Sequence, residues 1–535
     1  MIKFNSKYLL GTISSVFLIT ILTLFDVLSF GSKIVSNNPE ETELKNISIA
    51  LFIYGNIISQ LCFNIFTKIN TGVISGGIAE NYCFTRDIFL TCRNNTKSLE
   101  AAYTNFMMSL IIMTLLFSGF SALLNIFNLE NYIKNLPEPA VVGCSIYIGY
   151  AMFYLTGYAE VDYKVYKSVI FVVTALLLTI LLFLMTEYIS TSTFSLPATC
   201  LAFTIVFYFI AYFMHGKNTM DVLREKKWLS EPDNTFLLPN IIFKYFKPSE
   251  ISYKVIWKCS LNIISIALYS LIHISINLPT IHSRTKIDYN FSNELKTQAL
   301  SNLFCSIIGQ PAYTIASYSV IFIKNGGTKL TPFILCFTFI LIPLIGPSFT
   351  GYVPIAMKAA LPALVGLYFI IPSLISVITD CSFIEFGILC IVFLVVWRWE
   401  QPVAGLFTGV LCCFIYSYLF PKKKNTNTIE ILKDKKNVKS YSKALSFLET
   451  AELTEWENSF SDEILILDLY NCNMIDWKAS IVIKDIIDRN RNNIILIGRP
   501  YGFNNYDSLN QDNLHKVDNY EEMTTVIEQL KNLKI

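Results

Sequence analysis

Two carboxylic acids lie inside otherwise apolar stretches, Asp26 within residues 9–30 and Glu80 within residues 71–90. An acid at the centre of a bilayer costs about 2.5–3.5 kcal/mol on insertion scales, so such groups face a cavity, a partner or a proton path. Their chemistry would be to attract a cation or to carry a proton. The plainer alternatives are a helix-packing hydrogen bond for Asp26 and the capping of a helix end for Glu80. Glu80 closes the stretch Asn70-Thr71-Gly72-Val73-Ile74-Ser75-Gly76-Gly77-Ile78-Ala79-Glu80, which glycine interrupts. The second half of the chain holds a counterpart, Gly309-Gln310-Pro311-Ala312-Tyr313-Thr314-Ile315-Ala316-Ser317-Tyr318-Ser319, ending at Gly326-Gly327. Each is the third apolar segment of its half. Short, Gly/Pro-broken segments in corresponding places mark the binding site of a secondary transporter, where half-helices meet near the bilayer midplane. Irregular backbone survives at that depth only where protein or a wet cavity satisfies it, and helix N-termini there offer free N–H donors and partial positive charge. The alternative is a pair of kinked structural helices.

The elements that must position these residues are membrane spans. Of 535 residues, 53% are hydrophobic and 15% charged, and the mean hydropathy is +0.48, leaving too few ionic groups to cover a soluble surface. The net charge of +2 creates no field for nucleic acid, and no basic motif supports that partner. The thirteen cysteines include no CxxC pair and read as small apolar packing residues, so neither a disulfide framework nor a metal site is expected. No GxSxG, Walker-type loop, HExxH or Cys/His cluster occurs, so neither an enzyme nor a cofactor is expected. Apolar segments fall at 9–30, 47–66, 71–90, 101–127, 138–158, 168–187 and 194–214, then at 255–281, 297–308, 311–323, 331–349, 353–378, 381–397 and 402–420. Seven precede and seven follow the polar connection at 215–250. Lys3 and Lys7 before the first, and Lys422, Lys423 and Lys424 after the last, place both termini in the cytosol, which an even number of spans satisfies. Lys217, Arg224, Lys226 and Lys227 in the central connection then lie on the far side, against that rule. No cleavable leader is evident.

Beyond residue 420 a lysine-rich linker, 421–437, leads to alternating patterns. Strands are expected at 464–469 and 493–498, an amphipathic helix at 477–488 with Ala479, Ile483 and Ile486 on one face, and a last helix at 523–533. The expectation is a transmembrane domain over 1–420, with repeats at about 8–216 and 250–420, and a small soluble α/β domain over 438–535.

The order of Asn135-Leu136-Pro137-Glu138-Pro139-Ala140-Val141-Val142-Gly143, Ile287-Asp288-Tyr289-Asn290-Phe291-Ser292-Asn293-Glu294-Leu295, Ala299-Leu300-Ser301-Asn302-Leu303, Ser317-Tyr318-Ser319 and Gly326-Gly327 resembles the SulP, or sulfate permease, transporters. The C-terminal part is similar to their STAS domain through Leu465-Ile466-Leu467-Asp468-Leu469 and Met474-Ile475-Asp476. The resemblance implies an α-helical polytopic membrane protein with about 14 spans in 7+7 inverted repeats of the uracil-permease type, a cytosolic STAS domain, and a homodimer. Within SulP, Leu24-Phe25-Asp26-Val27-Leu28-Ser29-Phe30-Gly31, Ile58-Ser59-Gln60, Gly76-Gly77-Ile78-Ala79-Glu80 and His273-Ile274-Ser275-Ile276-Asn277-Leu278-Pro279 resemble a fungal vacuolar-type branch linked to basic amino acids. Two departures stand out. Many SulP anion carriers place an Arg where this chain has Tyr318, and classical STAS proteins place a phosphorylatable Ser where this chain has Trp477, with Ser480 three residues on.

Charge at the site follows from these residues. Two half-helix ends bring about +0.5 each, and ionised Asp26 and Glu80 turn the sum to about −1. A sulfate is then disfavoured, while a cation, a zwitterion with a cationic side chain, or a proton fits. The expected substrate-binding set is Gly76, Gly77, Glu80, Thr314, Ser317, Tyr318 and Ser319, with His273 and Asn277 one turn apart on a helix face. Asp26 and Glu80 are the expected coupling residues. His273 has the alternative of a satisfied core residue. Glu294 is expected to be structural, Asp380 and Glu385 solvated at a turn, and Glu138 and Glu187 at the membrane edge. The functional expectation is a secondary transporter of a small solute working by alternating access, in a vacuolar or other endomembrane. The rivals are an ion channel or motor-like relative on the same fold, and a STAS-based scaffold with vestigial transport.

Overall fold

A computed structural model describes residues 6–27, 42–77, 81–128, 136–153, 166–189, 195–230, 236–324, 326–345, 351–399 and 401–419, and, in the C-terminal part, 438–440, 445–447, 449–458, 465–470, 472, 474–489, 494–498, 500, 503, 514–517, 522, 523 and 526. Glu80 lies outside them, as do the linker and most of the last expected helix. The chain forms two compact units, one of residues 1–130 with 148–369, the other of 131–147 with 370–535.

In the first unit, helices α1 (Ser6–Asp26), α2 (Thr42–Phe66), α3 (Tyr82–Asn94) and α4 (Leu99–Ile126) come from the first half of the chain. From the second half come α10 (Ser260–Thr285), α11 (Phe291–Cys305), α12 (Ala316–Lys324) and α13 (Thr331–Ile345). Their packing exchanges the halves. α2 lies on α13 while α4 lies on α11, and α1 lies on α12 while α10 lies on α3. Each pair is the other with the halves swapped, which is the contact pattern of a pseudo-twofold repeat. The interrupted segments hold a short strand each, β1 (Ser75–Gly77) and β2 (Ala312–Thr314). Gly72 and Gly309, each three residues ahead of its strand, have φ of +74° and +69°, a left-handed turn that suits glycine.

The same unit contains α6 (Tyr166–Leu184), α7 (Ser195–His215), α8 (Thr219–Glu225) and α9 (Tyr253–Lys258), while α5 (Glu138–Ala151) and α14 (Ile355–Asp380) are divided between the units. Among the described residues six helical segments are long and apolar enough to cross a membrane, and shorter apolar stretches occur at Gly11–Leu24, Ser260–Ile274 and Thr331–Leu344.

The second unit joins α15 (Phe383–Trp399) and α16 (Pro402–Leu419) to a four-stranded parallel sheet in the order β3 (Val438–Ser440), β4 (Leu465–Asp468), β5 (Ile494–Ile497) and β6 (Leu514–Val517). α17 (Thr450–Asn458) and α18 (Trp477–Arg489) belong to this sheet domain, and Leu453, Ile483, Ile486 and Ile487 close over Leu465, Leu467 and Leu496 in one apolar core. A fully buried parallel strand carries apolar residues on both faces, as Ile494–Ile497 does.

Candidate functional site

The two interrupted segments meet. β1 and β2 pair antiparallel with Ser75 opposite Thr314, Gly76 opposite Tyr313 and Gly77 opposite Ala312, and the Ile315 N–H extends the ladder to the Ile74 carbonyl at 2.9 Å. A two-stranded ladder leaves its outer edges unpaired, which lipid would punish because nothing there replaces the lost hydrogen bonds. Carboxamides close both edges. On one side Asn56 accepts from the Gly77 N–H at 2.6 Å, Gln60 accepts from the Ser75 N–H at 2.9 Å, and the Gln60 amide donates to the Val73 carbonyl at 2.9 Å and to Asn64 at 2.8 Å. On the other, Asn302 accepts from the Ala312 N–H at 2.9 Å and donates to the Ala312 carbonyl at 2.8 Å, which Gln298 also reaches. Asn56, Gln60 and Asn64 are spaced by four along α2, and Gln298 and Asn302 by four along α11, so each set lies on one helix face.

Because the strands are antiparallel, they feed α3 and α12 in opposite directions. The α10 face spans both starts: Ser270 accepts from the Asn81 amide at 2.8 Å at the beginning of α3, and Asn277 donates to the Thr314 carbonyl at 2.8 Å ahead of α12. Between them His273 packs its ring 5.2 Å from those of Tyr269 and Tyr313. Asn81 Oδ1 and Thr314 Oγ1 are buried and have no hydrogen-bond partner among the described residues. At the far end of α1, the half-buried Asp26 accepts a hydrogen bond from the Tyr318 hydroxyl at 2.9 Å. That contact joins residues 292 apart, one from each half, in the first turn of a half-helix.

Of the residues expected in the site, Gly76, Gly77 and Thr314 form the ladder, Tyr318 meets Asp26, and His273 and Asn277 share the α10 face. Ser317 is exposed on α12. Ser319 is buried and tied to the backbone, its hydroxyl accepting from the Ile74 N–H at 3.0 Å and donating to the Ile74 carbonyl at 3.3 Å, so it knits α12 to β1. Glu294 accepts from the Thr67 hydroxyl at 2.8 Å and the Lys68 N–H at 3.1 Å, an anchor for the turn into β1. The carboxamides of α2 and α11 escaped the sequence reading, although their four-residue spacing inside apolar spans is a visible signal.

Glu385 and Asp380 are covered rather than solvated. Expected to be solvated, Glu385 is 3% exposed, its Oε2 accepting from the Ser382 N–H at 3.0 Å and hydroxyl at 2.7 Å while Oε1 accepts from the Trp477 N–H at 2.7 Å. Asp380 pairs with Lys484, and Glu138 with Lys478 at 2.9 Å. A turn between spans is solvated only if no other domain covers it, and here α18 does.

Comparison with known proteins decides the family, since residues 9–392 match the sulfate permease family. The chain belongs to that family. It is thus an integral, multi-pass membrane protein of a transporter family. The chain is 22% identical over 422 residues to the vacuolar basic amino acid transporter VSB1 of Saccharomyces cerevisiae, covering 74% of this chain and 40% of that protein. The match therefore spans about two fifths of the length of that relative. The fold is similar to the murine anion transporter Slc26a9 in its inward-facing state, with a TM-score of 0.57 and 15% identity over 95% of this chain and 88% of that one. It is also similar to the transmembrane domain of the cyanobacterial bicarbonate transporter BicA, with a TM-score of 0.52 and 14% identity over 76% of this chain and 96% of that one. The architecture is the helical sulfate permease fold with a C-terminal STAS-type sheet domain.

Proposed function

We propose that this sulfate permease relative is a secondary active transporter whose substrate is a basic amino acid, moved by alternating access and coupled to protons. The observation that carries the reading is the Asp26–Tyr318 hydrogen bond at the start of a half-helix, where an acid and a phenol stand in place of a fixed cation. A carboxylate offers about four lone-pair sites, so an acid that accepts from the Tyr318 hydroxyl is also of the right chemistry to accept from a guanidinium or ammonium group. The buried acceptors Asn81 Oδ1 and Thr314 Oγ1 at the two half-helix starts suit a substrate rich in N–H donors, while half-helix N-termini suit its carboxylate. The activity of the yeast relative, a vacuolar transporter of basic amino acids, agrees with that chemistry and supports an endomembrane location. Both termini are cytosolic in this reading, the functional unit is a homodimer, and Asp26 with Glu80 carries the coupling proton.

The test is uptake into proteoliposomes of purified protein, with labelled arginine, lysine and sulfate under an imposed pH gradient. Saturable, gradient-dependent arginine or lysine uptake is expected. Sulfate uptake without amino-acid uptake would overturn the substrate assignment, and a large non-saturating conductance would replace a carrier by a channel.

A further inference from the structure

Two helices of the second unit, α15 and α18, begin against the same carboxyl group. Ser382 and Glu385 form the reciprocal cap of α15, each accepting from the other's backbone N–H, at 3.0 Å to Glu385 Oε2 and 3.4 Å to Ser382 Oγ. The other oxygen of Glu385 accepts the first free N–H of α18, from Trp477. One buried acid therefore satisfies the starts of a membrane-domain helix and a sheet-domain helix, where two helix dipoles favour negative charge. Trp477 is fully buried against Val142 and Leu389. Asp476 is the N-cap residue of α18, accepting from the Ala479 N–H at 2.8 Å and from the Phe447 N–H at 2.6 Å. Both acids line one small cavity with Glu138, Lys478, Cys413 and Tyr416.

We propose that Glu385 is a positioning residue that holds the C-terminal domain on the turn between α14 and α15, and that a single proton on the Glu385–Asp476 carboxyl pair sets how firmly it is held. Burial pushes the Asp476 carboxyl up to about 7, against the pull of its two backbone donors, with the nearby Glu385 and Glu449 adding to the rise. The other charged or titratable groups around the pair are Glu138 and its partner Lys478, Cys413, Tyr416 and, on the turn before α15, Cys381. An acid whose proton is held more tightly when docked than when exposed favours the docked state at low pH. That advantage is complete below the ordinary aspartate value of about 3.9 and is lost as pH rises through about 7. Docking should weaken by up to about tenfold per pH unit on that rise and level off above it. The arrangement shares no residue with the central site and does not depend on which solute is carried.

Hydrogen–deuterium exchange of the full-length protein, read on the peptide covering 475–483 between pH 5.5 and 8, tests it. Protection relative to intrinsic exchange should fall with pH in the unaltered protein. In Asp476→Asn and in the double variant Glu385→Gln/Asp476→Asn, which keep one acceptor oxygen at each changed site and remove its charge, the fall in protection near pH 7 should be lost. Glu385→Ala should lower protection of the same amides at least tenfold at pH 6. Superimposable pH profiles for the unaltered protein and the two amide variants would overturn the proton's role. Unchanged protection in Glu385→Ala would overturn the positioning role, and if that variant does not fold, the amide variants still decide the matter.

Discussion

Asp26 and Tyr318 touch across the two halves of the chain, and their substitutions separate binding from coupling. Asp26→Asn keeps an acceptor but removes the charge and the titration, so basic amino-acid uptake should fall at least tenfold and what remains should no longer respond to a pH gradient. Tyr318→Phe removes one hydrogen bond to a charged group, worth about 1.5–3 kcal/mol. The expected result is about a tenfold or greater loss of substrate affinity with coupling retained, as measured by uptake at varied substrate. Tyr318→Arg should shift selectivity toward anions, read as sulfate binding to the purified variant. An unchanged profile in that variant would place the substrate elsewhere. Both residues were legible in the sequence as singular, one as an acid in a span and the other as a phenol where relatives have a cation. Their contact was not, because a single pair 292 residues apart leaves no local pattern.

At the scale of elements, the ladder of β1 and β2 rests on side chains from α2 and α11. Gln60→Leu removes the partner of the Ser75 N–H and the Val73 carbonyl, and Asn302→Leu that of the Ala312 N–H, while the Ala312 carbonyl keeps Gln298. Each orphaned buried group costs about 1–3 kcal/mol. Both variants should therefore lose thermal stability in detergent and transport together, and Gln60→Glu should not restore either, since it lacks the donor for Val73. The long spans and the α18 helix followed from apolar length and periodicity, as did strands β4 and β5. The two three-residue strands did not, because a run that short carries no period to separate it from a kinked helix. β3 escaped for the same shortness, β6 because Leu514-His515-Lys516-Val517 forms no apolar run, and α17 because Thr450–Asn458 is mostly polar. Ser382-Phe383-Ile384-Glu385 is readable as a helix start, yet the second helix that shares Glu385 lies 92 residues away and gives no sign in the local pattern.

For the whole molecule, the exchange of α2, α4, α11 and α13 between halves means that each half completes the other. A chain cut within the polar 215–250 connection and expressed as two fragments should copurify as one complex, with transport recovered, while either fragment alone should be degraded or aggregate. Recovery of a stable, monodisperse single fragment would contradict the interleaved packing. The pairing of β1 with β2 adds a second dependence. One half by itself would leave the strand edge that meets its counterpart without hydrogen-bond partners, so neither half can close its own interrupted segment inside a bilayer. The ladder is the clasp that obliges the two halves to fold together.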